Sequence, residues 1–367
     1  MKLSAGANGR ENNFNLLRLV ASLAVLVSHC YVIFSGDASS EPWVRHLGMT
    51  PGSIAVDVFF ATSGFLVTAS LIKSQSTLDF LIGRVFRIFP GLWVMTLISV
   101  FLIGLHFTAL PASQYLRDDQ TLNFLVKDLT VIGGITGTLP GVFNDLPYKA
   151  VINGSLWTLP WEIRMYAGLL MLWLAVLLMS RIPSLRSTRI FVAAVVLVTV
   201  VSACKHFSNW YFHGEIDERF RLAYMFFSGA LYQLLKDRVR LQPWAATVAV
   251  GTVFVTVAHA KLFFVAYHLL VPYIVLCLAY LPKGRILGFN RLGDYSYGLY
   301  IYAFPIQQSI LALVPSIEFP HFVAASMAAS GLAAIASWHW IEQPSIAAGS
   351  RLRSRLGAGR RPLAKVD

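Results

Sequence analysis

The sequence predicts an all-α fold: a polytopic integral membrane bundle of about ten transmembrane helices, with both termini in the cytoplasm. Three observations predict it. Hydrophobic residues make up 56% of the chain and charged residues only 13%, against roughly 25% charged in soluble domains. Apolar runs recur along the whole length, each near the ~20 residues that cross a bilayer as helix. Between the runs, Lys and Arg concentrate at every second connection, as the positive-inside rule requires.

The runs place spans at 14–35, 52–72, 88–108, 157–179, 189–206, 219–236, 243–259, 262–281, 296–314 and 320–341. With the N-terminus inside, the inner segments hold 20 Lys and Arg and the outer segments 7. A net charge of +12 distributed this way is membrane topology, and nucleic acid is not an expected partner. The first apolar stretch, about Phe14 to Phe34, is longer than the ~7–15 residues of a signal-peptide core, so it reads as a retained span. The long segment 109–156 carries Asp118, Asp119, Asp128, Asp145 and a glycine-rich run. It is expected outside, shaping a binding site, because long structureless loops are uncommon unless functional. The domain reading is one transmembrane domain over 1–345 and a basic cytoplasmic tail over 346–367, expected to be disordered and to rest on membrane lipid. Cys30, Cys204 and Cys277 are odd in number and scattered, which indicates neither a disulfide framework nor a metal site.

Polar residues inside apolar spans point to function, because a charge at the membrane centre costs at least ~2.5–3.5 kcal/mol. Arg18 and His29 are eleven residues apart on the first span. At about 100° per residue they share one face, separated by about 16 Å along the axis. Arg18 then lies near the inner boundary and His29 toward the outer one. The bland alternative is an arginine reaching the headgroups and a histidine inside a structural network. The second span carries Asp57 and the Ser63-Gly64 pair, whose plain reading is close helix packing. Arg84 and Arg87, at spacing three, present two guanidiniums on one face. They are either ordinary anchors or a phosphate clamp. Glu162 and Arg164 open the fourth span. Glu162 is a carboxylate able to fix an imidazole tautomer.

These residues fall in a series of motifs. Arg18 and His29 are followed by Asp57, Phe59, Phe60, Ser63, Gly64, Phe65 and Leu66 in order. Then come Arg84-x-x-Arg87, the Trp157-Thr158-Leu159 run with Glu162 and Tyr166, the Ser296–Tyr300 stretch, and Glu342-x-Pro344. From about Asn13 to Pro344 the chain resembles the family 3 membrane acyltransferases, bacterial enzymes that mostly acylate sugars. One departure stands out: many members have a histidine where this chain has Ala303.

The resemblance implies an O-acetyltransferase in the bacterial inner membrane. Acyl coenzyme A, most simply acetyl coenzyme A, is the donor substrate, no metal is involved, and a carbohydrate or lipid-linked sugar outside is the acceptor. Assembly as a homo-oligomer is left open. His29 is the expected general base, or the carrier of a covalent acyl group. Glu162 is expected to orient His29 or bind the acceptor, with Asp57 as second choice. Arg18, Arg84 and Arg87 would hold the donor phosphates, and Ser63, Tyr166 and the Gly64 backbone would serve the oxyanion. A glycan flippase is the alternative class, weighed down by the lack of visible inverted repeats. A structural scaffold is the third.

Overall fold

A computed structural model describes residues 1–7, 11–74, 76–179 and 187–357. Arg10, Arg181, Arg186 and residues 358–367 of the tail lie outside this set. Ten main helices lie at or near the predicted spans, except that the third starts at Thr77 rather than at 88, which puts Arg84 and Arg87 inside the helix instead of before it. The ten are α1 Phe14–Ser35, α2 Pro51–Lys73, α3 Thr77–Leu97, α4 Leu159–Met179, α5 Ser187–His213, α6 Glu218–Leu234, α7 Pro243–Thr256, α8 Ala260–Tyr280, α9 Ser296–Leu313 and α10 Phe319–Ser337. Among the described residues there is no β-strand beyond isolated bridges.

Seven helical stretches are long and apolar enough to cross a membrane: 14–35, 51–73, 77–107, 155–179, 188–213, 260–280 and 319–356. Helices α6, α7 and α9 fall short, and two of them have a physical excuse. Leu222 and Tyr224–Ala230 of α6 are buried, as are Ser296–Pro305 of α9. Protein rather than lipid surrounds these central helices, so their polar groups find partners without an apolar exterior. The exterior is apolar instead on the outer helices, where Phe254, Leu102 and Trp340 are among the most exposed side chains.

Local chemistry sets the ends. Helix α1 stops at Gly36, whose φ of 75° lets its N–H return to the Val32 carbonyl at 2.8 Å. Helix α2 opens with a reciprocal cap between Thr50 and Ser53 and with Pro51 in its first turn. Helix α3 continues through a π-helical stretch, Ile98–Gly104, to Phe107.

Packing is closest where α2 crosses α6. A Cβ on Gly64 would stand 1.8 Å from the Phe226 carbonyl oxygen, and one on Gly229 would stand 2.0 Å from that of Ala61. Only glycine permits backbones so near. On the other side α1 lies between α2 and α9, and α9 packs on α10.

Two segments differ from expectation. The 109–156 segment is ordered: it carries short helices at Ala112–Arg117 and Asp119–Thr130 and bridges pairing Thr108 with Val142 and Thr138 with Val151. Trp93 of α3 donates to the Leu129 carbonyl at 2.8 Å, tying the segment to the bundle. The basic tail, expected disordered from 346, is helical over Gln343–Gly357 and packs along α3. Arg353 reaches Asp79 at 2.5 Å, a partner that its own composition does not reveal.

Candidate active site

A narrow cavity opens between α1, α2, α4 and α9. It is lined by Arg18, Phe59, Ser63, Thr158, Glu162, Ser296, Tyr297 and Tyr300, among others, and its volume is only about 40 Å³. Three of the residues read from sequence therefore meet: Arg18, Ser63 and Glu162.

The acidic end is a closed hydrogen-bonded set. Tyr166, one turn after Glu162 on α4, donates to the Glu162 carboxylate. Ser63 Oγ lies 2.8 Å from the Tyr166 hydroxyl and 3.3 Å from Glu162 Oε1. A carboxylate accepts only, so the single Tyr166 proton is committed to Glu162. Arg84 stands 6.0 Å from the centre of the Tyr166 ring, and its Nε has no hydrogen-bond partner among the described residues.

The basic end is organised by Asp294, which the sequence reading missed. Arg87 donates to Asp294 Oδ2, Arg18 approaches the same oxygen at 3.5 Å, and Ser296 donates to Oδ1. Burial would raise this carboxyl, yet Arg87 and Arg18 beside it hold it well below the usual carboxylate range. Arg84 and Arg87 thus have different surroundings: Arg87 is ion-paired, while Arg84 has no carboxylate within ion-pair distance among the described residues. No sequence signal marks Asp294 as an ion-pair partner, since an Asp two residues before a helix looks like an ordinary turn residue.

His29 faces protein. Its Nδ1 is 3.4 Å from Ser155 Oγ, and the Phe304 ring packs edge-on at 5.2 Å. It does not line the cavity. One layer separates the two. The Tyr300 hydroxyl donates to the Ser155 carbonyl at 2.7 Å and meets Thr158 Oγ1 at 2.6 Å. With its one proton given to Ser155, Tyr300 must accept from Thr158. Asn153 braces the same turn, accepting from the Ser155 N–H and donating to the Ile301 carbonyl.

Three expectations need correction. Asp57 is not a partner of His29. It accepts from Tyr267 at 2.9 Å and lies 3.7 Å from the buried Arg221, forming a separate ion pair between α2, α6 and α8. Glu162 holds Tyr166 and Ser63 rather than the imidazole. Gly64, with its backbone expected to serve the oxyanion, is packed against Phe226, so the plain packing reading holds there. Ala303, at the place of the second histidine found in many members, is buried among apolar neighbours.

Comparison with known proteins decides the family. The sequence model for the acyltransferase domain of the family 3 acyltransferases matches residues 11–338. The chain belongs to this family. It is therefore an acyltransferase whose several long apolar helices suit a multi-pass membrane protein. It is 27% identical over 353 residues to an O-acetyl transferase of Shigella phage Sf6, covering 91% of this chain and 96% of that one. It is 29% identical over 388 residues to Nodulation protein 10 of Rhizobium leguminosarum bv. viciae, covering 96% and 97%. No solved structure matches.

Proposed function

We propose that the protein moves an acetyl group from cytoplasmic acetyl coenzyme A to a hydroxyl of an extracytoplasmic carbohydrate, such as an exopolysaccharide or O-antigen. The observation that carries the reading is the cavity joining Arg18 to Ser63 and Glu162, with His29 one layer beyond. The relative from phage Sf6 supports acetyl as the group moved. In this reading all ten helices span the inner membrane and both termini are cytoplasmic, as the Lys and Arg distribution requires.

Arg18 then lies at the cytoplasmic end. It and Arg84 take the donor phosphates, while Arg87 holds Asp294 and sets the charge around them. The thin arm of the donor rises along the cavity toward Thr158 and Tyr300. That pair must part for the thioester to meet His29. His29 removes the proton of the acceptor hydroxyl, and that oxygen attacks the thioester carbonyl. The C–O bond forms, the C–S bond breaks, and the departing thiolate takes the proton back from the imidazolium. A base so placed contributes roughly 10²–10⁴-fold. Oxyanion stabilisation falls to Ser63 or Tyr166, and either hydroxyl must turn its single proton away from the Glu162 set to supply it.

A second reading has its own observation. Glu162 lines the cavity and His29 does not, so Glu162 could serve as the base directly.

The test uses proteoliposomes with labelled acetyl coenzyme A on one side and a polysaccharide acceptor on the other. Label should reach the acceptor only when the donor is on the side of the chain termini. Movement of sugar without loss of acetyl coenzyme A would mean a transporter instead.

A further inference from the structure

The connection between α1 and α2 is a built feature rather than a slack link. The Asp37 side chain accepts from the Ser39 N–H at 2.8 Å, and Ser40 Oγ donates to the Asp37 carbonyl at 2.6 Å. Arg45 donates to Ser39 Oγ at 3.2 Å. Gly36 and Gly48, both in the left-handed region, bound the loop.

Within this frame Trp43 has a φ of 68° and is 55% exposed. A left-handed conformation is an outlier for a bulky residue and persists only where its surroundings enforce it. Here the Trp43 carbonyl accepts from the His46 and Leu47 N–H groups at 3.1 and 2.7 Å. The ring is held outward, and among the described residues no other ring or cation stacks on it. A tryptophan that merely belts the membrane has apolar neighbours. Trp43 instead borders an open cleft of about 420 Å³ with Ser39, Ser40, Glu41, Arg45 and His46.

Glu41 ties this cleft to the end of α1 that carries His29. Its carboxylate accepts from Ser28, the residue before His29, and Ser28 Oγ in turn accepts from the Gly52 N–H at 3.1 Å. One free aromatic face, with guanidinium donors of Arg45 and serine and Glu41 oxygens as acceptors around it, suits a sugar ring: the apolar face of the ring stacks, and its hydroxyls find partners.

We propose that Trp43, with Arg45 and Ser40, forms a subsite for a pyranose unit of the acceptor, fastened by the Glu41–Ser28 contact to the end of α1 that carries His29. This rests on the reading of a carbohydrate acceptor under Proposed function and says where that acceptor docks.

The test measures saturation-transfer NMR between the full chain in lipid nanodiscs and four probes: the methyl pyranosides of glucose, galactose, rhamnose and glucuronic acid. No donor is present. Asparagine tolerates the left-handed region, so Trp43→Asn removes the ring while leaving the loop conformation accessible, and Trp43→Phe keeps an aromatic face. Ring protons of at least one probe should receive saturation from the wild type and from Trp43→Phe, and should lose it in Trp43→Asn. With a polysaccharide acceptor that is turned over, Trp43→Asn should raise the acceptor KM about tenfold, a loss of ~1.4 kcal/mol, while the donor KM stays put. Equal saturation from Trp43→Asn, or none from the wild type, overturns the subsite. Failure of the acetyl-transfer reading looks different: pyranosides bind at Trp43, but no acetyl reaches any sugar.

Discussion

At the scale of single residues, the site is held together by a carboxylate shared between two arginines. Asp294 holds Arg87 and Arg18 at one oxygen, and its replacement by Ala would leave both guanidiniums without that partner. Breaking a buried pair in this way typically costs about 3–5 kcal/mol, so Asp294→Ala should lower the thermal midpoint in detergent sharply. The pH dependence has a definite sign. The folded-state Asp294 carboxyl is depressed, so its contribution is complete above the ordinary Asp pKa of about 3.9 and is lost as pH falls below it. The wild type should therefore lose thermal stability below about pH 4, and Asp294→Asn should lose less over the same interval. Arg84 is the complementary case. It has no carboxylate at ion-pair distance among the described residues, which in the proposed reading leaves its guanidinium for a donor phosphate. Arg84→Ala should raise the KM for acetyl coenzyme A about tenfold with the acceptor KM unchanged, whereas a change in acceptor kinetics alone would remove it from the donor site. Arg18, Ser63 and Glu162 were legible in the sequence because polar groups in apolar spans demand an explanation. Asp294 and Ser155 were not, because a turn acid and a common hydroxyl carry no periodic signal and acquire roles only when distant helices meet; Tyr300 was legible as part of the Ser296–Tyr300 stretch but without a role.

At the scale of elements, helix positions were the most legible feature, since apolar length and basic flanks are local properties. The order within 109–156 was hidden for the opposite reason: its stability comes from contacts such as Trp93 with Leu129, made across the fold. The tail misled for a similar cause, because basic composition says nothing of Asp79 waiting for Arg353. The α2–α6 crossing is the most demanding contact between elements. Gly64→Val places side-chain atoms where the Phe226 carbonyl stands, and relief requires the helices to separate. This variant should fail to yield monodisperse protein. Gly168→Ala on α4, where a new Cβ meets nothing within 4 Å, should behave as wild type. Equal yields of the two would show that the crossing tolerates more than its geometry allows.

At the scale of the whole molecule, the account requires a donor entering from one side of the membrane and an acceptor from the other. Sidedness is open to direct labelling. Cys204 is the exposed native thiol, while Cys30 and Cys277 are buried, so Cys204→Ser provides the background. In intact cells an impermeant maleimide should label a cysteine placed at Arg45 and spare one placed at Arg285, and lysis should expose the latter. The reverse pattern would invert the topology and put Arg18 on the wrong side for a cytoplasmic donor. The central claim, that His29 moves the acceptor proton, is tested most directly by transfer of labelled acetyl from acetyl coenzyme A in His29→Ala. That protein should insert at the wild-type level and lose acetyl transfer by roughly 10²–10⁴-fold. Transfer at the wild-type rate would contradict the account and hand the role of base to Glu162.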